Sequence, residues 1–326
     1  YEKKSCNGYI LSTFDEYLNE YVPEESQRLK WLTGFRGSNG LVLLIDDKRL
    51  FFTDGRYTSQ AKKELHCSFT IIDSSEQDIF QWLVRNVKKK RTICLDCQIH
   101  STLFAKKLLK ITNNNILIKF NKKILIDDLI KQEKKYSVGS IFFLPLKFSG
   151  QNSKNKIRKI KEKIKDIDYY IITNPYSVNW LLNIRGYDLE FSPIVLCRMI
   201  ITKSQKDYLF INKKKIDEKM ILYLESLNIE ICGEEDIFDK IKKISSESKV
   251  LIDEKATYIF YDLLKKKKVL SNTISYICSL EKAKKNKVEI KNSIFTHKID
   301  AIAMIKFMYW LDNQSKYSGL DEFYLL

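Results

Sequence analysis

Short apolar runs with strand character alternate along this chain with stretches whose apolar residues recur at helical spacing. The runs at 41–45 (LVLLI) and 49–53 (RLFFT) are split by Asp46, Asp47 and Lys48 and read as a β-hairpin; those at 193–202 (PIVLCRMIIT) and 207–211 (DYLFI), split by 203–206, read the same way. Each hairpin follows one seven-residue pattern, W-L-x-x-x-R-G, at 31–37 (WLTGFRG) and again at 180–186 (WLLNIRG). Trp and Leu on the last turn of a helix, with Gly ending it, are ordinary packing and capping. The hairpin behind both copies makes an internal duplication the better explanation.

The remaining pattern fits two modules of one plan. The first predicts a strand at 8–12, a helix over about 24–32 whose apolar residues face inward and which Gly34 stops, and a helix to about Leu65. Then come strands at 68–72, 92–96 and 116–119, with helices at 77–87, after the cap Ser101, and near 124–134. Residues 138–151, with Gly139, Pro145 and Gly150, are the linker candidate. The second module opens with a basic helix at 153–167, where Ile157, Ile160, Ile164 and Ile167 recur at helical spacing and the lysines take the other faces. A strand at 169–173 leads to Pro175, a favoured first helical position, and to the helix carrying Trp180. Helices at 216–227, 236–244 and 257–264 alternate with strands at 229–231 and 250–253, and from about 281 a long amphipathic helix runs past Trp310. Such alternation predicts an α/β fold with mixed sheets flanked by helices. The expected domains are 1–145, 146–280, and 281–326 as the first element of a third.

The length of 326 residues suits two modules of roughly 130 to 150 residues, each able to bury a core. A hydrophobic content of 44% with 12% aromatics speaks against disorder and against a fibrous class. The net charge of +16 would raise nucleic acid or an anionic membrane as partners. Yet the excess is mostly Lys, spread over nearly every predicted helix, and the runs at 88–91, 213–215 and 265–268 sit at helix ends or turns. None interleaves aromatics with Arg as a stacking surface would, so neither partner is expected. No apolar stretch approaches the roughly 18 to 20 residues of a membrane span, and no signal peptide opens the chain, which begins at Tyr1. A cytoplasmic protein is expected. Seven scattered cysteines (Cys6, Cys67, Cys94, Cys97, Cys197, Cys232 and Cys278) argue for reduced thiols. Cys94 and Cys97 with His100 have a spacing that suits zinc or thiol exchange. The strand alternation around them puts the two cysteines on opposite faces, and no second such pair lies nearby, so a structural role is preferred.

Taken together, YILS (9–12) through NEYVPE (19–24), WLTGFRGSNG (31–40), FTDGRY (52–57), WLLNIRGYD (180–188) with Pro193, and the segment leading to THKIDA (296–301) resemble three-domain Xaa-Pro aminopeptidases. These belong to the creatinase and prolidase family of pita-bread metallopeptidases. The resemblance covers essentially the whole chain as two creatinase N-terminal-like domains plus the first helix of the catalytic domain. It implies hydrolysis of the bond before a proline at the second position of a peptide, a bond whose nitrogen carries no N–H. It also implies two divalent metals, manganese the expected pair, which generate a hydroxide and polarise the carbonyl. The family's metal ligands all fall beyond the position matching Leu326, so none is assigned here, and the chain alone is expected to be inactive and to supply walls of the substrate cleft. A stand-alone peptide- or partner-binding module is the alternative, and the resemblance leaves room for a homo-oligomer through the further domain. His66, His100 and His297 match no catalytic histidine of the family. One functional residue is implied: Arg56 matches the DGRY arginine that binds peptide substrate, an Arg offering a fixed fork to a carboxylate or carbonyl. Its competing role is a structural pair with Asp54 or Glu64. Arg36 and Arg185, duplicated within the repeat, are expected to brace the fold, with Arg36 also a candidate for lining the cleft. The sequence departs from the family pattern at GSNG (37–40) and in the loop 187–192.

Overall fold

A computed structural model describes residues 6–130, 139–274 and 277–314. In the first lobe, β1 (Gly8–Ser12), β2 (Leu41–Ile45), β3 (Lys48–Thr53), β4 (Thr70–Asp73), β5 (Arg91–Asp96) and β6 (Ile116–Asn121) form one sheet in the order β4-β3-β2-β1-β5-β6. The pairs β1–β2 and β2–β3 are antiparallel, and the pairs flanking them, β3–β4, β1–β5 and β5–β6, are parallel. The chain continues through β7 (Ile141–Phe143), β8 (Tyr169–Ile172), β9 (Ile184–Gly186), β10 (Cys197–Thr202), β11 (Asp207–Ile211), β12 (Ile229–Cys232), β13 (Val250–Asp253) and β14 (Leu270–Ile274). The second sheet runs β12-β11-β10-β8-β13-β14, with the same strand directions at every pairing. The repeated heptapeptide therefore marks duplication of an entire lobe, the mixed α/β architecture expected. The linker candidate is not bare: β7 pairs with β9 as a separate ribbon, and Leu146–Ser149 forms one helical turn.

Both faces of each sheet are covered, which explains why the strands read as continuous apolar runs instead of alternating ones. Ile10, Leu43 and Leu95 point into one cluster with Trp82 and Leu83, while Leu11, Val42 and Phe51 point into the opposite one with Leu29 and Phe35. Cys94 and Cys97 fall in these two different clusters, as the strand alternation predicted. The first cluster crosses the boundary between lobes, joining Leu95 and Ala105 to Phe210 and Phe260. Backbone hydrogen bonds stitch the same seam, from Thr102 N–H to the Ala256 carbonyl, from Tyr258 N–H to that of His100 and from Ile259 N–H to that of Cys97.

Caps are where sequence placed them. Ser101 accepts from Phe104 N–H, Asn174 precedes Pro175 and accepts from Ser177 N–H, and Gly34 ends its helix at φ +80°. Several expectations need correction. The helix over 24–32 is a 3₁₀ turn, Glu24–Ser26, followed by helix Arg28–Thr33, because Gln27 between them leaves helical dihedrals. Its Trp31 does not face inward: it is 49% exposed, the helix turning that side to solvent. Of the helix near 124–134, residues 131–138 lie outside the described ones, and the rest is the 3₁₀ turn Leu125–Asp128. In the basic helix, Ser153–Lys163, one lysine breaks the stripe rule: Lys156 is 2% exposed, and its Nζ donates to the Trp180 carbonyl (2.8 Å) and to Asn183 Oδ1 (2.7 Å). Two hydrogen bonds and the Trp180 ring, 4.5 Å from Nζ, offset part of the cost of that burial. The last long helix starts at Lys287, after the separate helix Ile277–Ala283, because Asn286 and Glu289 close a capping box there. It is not amphipathic on this body either, since Ile290, Phe295, Ile302, Ile305 and Tyr309 are exposed over several of its faces. Finally, Cys6 is joined to Cys94 as a disulfide, their Cα atoms 5.9 Å apart, so the thiols are not all reduced. The chain entering β1 runs beside β5, which brings these two distant cysteines together.

Candidate functional site

Arg56 stands where β3 ends, in a loop that polar groups hold tightly. The Thr53 hydroxyl donates to the Asn39 carbonyl (2.6 Å), Asn39 Nδ2 to Asp54 Oδ2 (2.6 Å), and Ser38 and Tyr57 share a hydroxyl hydrogen bond (2.7 Å). The guanidinium of Arg56 forks onto Asp54, Nε to Oδ1 at 3.0 Å and Nη2 to Oδ2 at 2.9 Å, and lies 5.3 Å over the Tyr57 ring. These donors hold the Asp54 carboxyl well below the usual carboxylate range. The side chain of Arg56 is 74% exposed all the same. So the structural pair with Asp54 exists, Glu64 instead accepts from the backbone N–H of Arg36 (2.8 Å), and the Arg56 fork stays open to solvent on one side. Arg185 is half-buried and donates to the carbonyls of Asn179 and Ile184, the bracing role expected of it.

Beside this loop the two lobes leave a groove of about 900 Å³ between the 13–38 segment and the loop 187–191. Arg36 lines it, and Glu20 on its wall lies near enough to act on the charge of Arg56. Tyr21 of the first lobe and Phe191 of the second meet edge to face, ring centroids 5.8 Å apart, across the groove. A recess of about 90 Å³ adjoins it, with Pro23, Glu25 and Asp188 bordering both. In the recess Asp188 Oδ2 accepts from Lys215 Nζ (2.7 Å) and from Leu196 N–H (2.7 Å), while Asp188 Oδ1 has no partner. Arg198 donates to the Glu16 carbonyl (2.8 Å) and stacks 4.0 Å over Tyr17, its Nε also without a partner. Burial pushes the carboxyls of Asp15 and Glu234 up. Glu16 in turn pairs with Arg28, whose other side meets Asp127 at 2.6 Å, so a buried arginine pins the groove wall to the body of the first lobe. Sequence reasoning flagged Arg36 and the 187–192 loop; it missed Tyr21 and the glutamates around it, whose one signal was their place in the NEYVPE stretch.

The histidines lie apart. His66 bonds Ser68, His297 bonds back to the Ser293 carbonyl one turn earlier, and His100 is buried at the seam, stacked on Phe104 with Nδ1 on the Asp96 carbonyl. Burial pushes its imidazole pKa down to about 4. Among the described residues no group of three or more His, Cys, Asp or Glu side chains is placed to hold a metal ion. Among them, too, no helix is long and apolar enough to cross a membrane.

Residues 11–129 and 132–289 each match a family described as Creatinase/Prolidase N-terminal domain. The chain is 30% identical to Xaa-Pro aminopeptidase 1 of Dictyostelium discoideum over 95% of its own length and 51% of that protein. It is 26% identical to Aminopeptidase P1 of Arabidopsis thaliana, covering 94% of this chain and 52% of the other. Its structure superposes on the X-prolyl aminopeptidase of Caenorhabditis elegans, described as a cytosolic enzyme with a di-nuclear active site, with a TM-score of 0.88 and 25% identity over 96% of this chain and 53% of that one. The chain thus spans about half the length of the curated relatives it matches.

Proposed function

This chain belongs to the creatinase and prolidase family as two tandem N-terminal domains, and from that premise we propose that it is the non-catalytic front of a metal-dependent Xaa-Pro aminopeptidase. In this reading the two lobes and the helix Lys287–Asp312 form cleft walls for peptides with proline second, Arg56 grips the peptide, and the hydrolytic centre with its two metals lies in polypeptide outside these residues. A cytoplasmic setting goes with it, by analogy with the C. elegans enzyme. The observation that carries the proposal is the superposition on that enzyme over nearly the whole of this chain and half of the other.

Chemically, Arg56 suits the part. Asp54 and Tyr57 fix its fork, so little rotamer freedom remains to be lost on binding, and its exposed edge still has donors for a peptide carbonyl or carboxylate. The test has two arms. Incubated with an Ala-Pro-Ala peptide and manganese, the purified chain is expected to release no alanine; turnover would place catalysis within these residues. By calorimetry, Arg56→Ala is expected to weaken or abolish whatever Xaa-Pro peptide binding the chain shows, and binding unaffected by that change would remove Arg56 from the substrate site.

A further inference from the structure

The groove between the lobes has a charge opposite to that of the molecule. The chain carries +16 overall, yet Glu20, Glu24, Glu25 and Glu190 line the groove against only Lys30 and Arg36. Among the described residues none of those four carboxylates takes a hydrogen bond or an ion pair. Between them stand Tyr21, 46% exposed, and Phe191, 72% exposed, large aromatic faces that burial on the body would normally claim. Carboxylates around aromatic faces are the chemistry that receives an ammonium or guanidinium, the rings through their negative faces and the acids through Coulomb attraction. A second, independent feature lies at the inner end: Asp188, only 6% exposed, lines the groove with Oδ1 lacking any donor. Leaving a buried acceptor unmet is costly, and Asp188 thereby adds an unpaired carboxylate oxygen to the negative side of the groove.

We propose that this groove is a docking site for an extended segment of a partner protein bearing lysine or arginine next to an aromatic side chain. The cations would sit against the glutamate rim and the aromatic ring against Tyr21 and Phe191. This does not rest on the aminopeptidase reading, since it uses neither Arg56 nor any chemistry of peptide cleavage.

Net charge makes the test sharp, because non-specific attraction to a +16 chain favours an acidic peptide and the groove favours a basic one. Three labelled decapeptides, alternating Lys-Tyr, Glu-Tyr and Lys-Ala, would be titrated by fluorescence anisotropy into the full chain. The Lys-Tyr peptide is expected to bind most tightly, with affinity falling as salt rises. Changing Glu20, Glu24, Glu25 and Glu190 together to Gln is expected to weaken it about tenfold or more. Equal or tighter binding of the Glu-Tyr peptide, no binding of Lys-Tyr, or a quadruple variant that binds unchanged would each overturn the proposal. Should that variant fail to fold, Phe191→Ala, at an exposed tip, decides alone: a loss of about threefold or more supports the site, and unchanged affinity overturns it.

Discussion

The two lobes repeat one strand order and one set of strand directions, yet the matching residues of their shared heptapeptide have different fates. Trp31 is 49% exposed, whereas Trp180, its counterpart, is 8% exposed with the ammonium of Lys156 4.5 Å over its ring. What differs is the cover. The helix Pro175–Leu182 is packed under helices Ser153–Lys163 and Ile277–Ala283, and every one of its residues but Tyr176 is buried. The matching helix of the first lobe, Arg28–Thr33, borders the groove through Leu29 and Lys30. One ancestral packing position thus became core in one lobe and surface in the other. The final glycine of the motif, by contrast, kept its reason: a Cβ on Gly37 would run into the Phe35 ring, and one on Gly186 into Val195.

The sharpest way to break this comparison is to truncate both tryptophans. Trp180→Ala is expected to destabilise by about 3 to 5 kcal/mol, the usual loss for a large buried aromatic. Trp31→Ala is expected to stay within about 0.5 kcal/mol. Urea midpoints measure both, and equal losses would show that the lobes use the repeat alike.

Next in size is the seam. The folded-state pKa of His100 lies near 4, below its ordinary value of 6.5, so its neutral ring adds stability that is full above pH 6.5 and is lost as pH falls through about 4. Asp96, which holds the ring nitrogen through its carbonyl, works the other way: burial pushes its carboxyl up to about 6, a contribution that is full at low pH and lost as pH rises through 6. The informative quantity is therefore the difference between the native chain and His100→Gln. Between pH 6.5 and 4 the native chain is expected to lose on the order of 2 kcal/mol relative to the variant. Parallel pH profiles would mean that His100 is already charged or exposed in the fold.

The smallest effect concerns the helix stop. Gly34 in the first lobe and Asn183 in the second occupy the same motif position, and both adopt left-handed dihedrals, φ +80° and +49°. Gly and Asn are the residues that tolerate this cap. Gly34→Ala is expected to destabilise by about 1 kcal/mol and Gly34→Asn by clearly less. Identical thermal shifts for the two would detach the motif from its capping role.

What the sequence by itself determined was whatever depends on neighbours a few residues apart: the strands other than β7, β9 and β14, the cap at Ser101 and the helix start at Pro175, the stop at Gly34, the opposite faces of Cys94 and Cys97, and the duplication. Arg56 was legible through the motif around it, and its pairing with Asp54 was foreseeable because the two lie only two positions apart. The tertiary structure alone decided everything requiring distant segments to meet. Nothing local distinguishes Trp31 from Trp180, or Lys156 from the lysines around it, because burial is set by which helices arrive on top. The Cys6–Cys94 link, the Tyr21–Phe191 contact and the acid-lined groove join residues 88 or more positions apart, and it is the packing of whole sheets, not the spacing of residues, that brings them together.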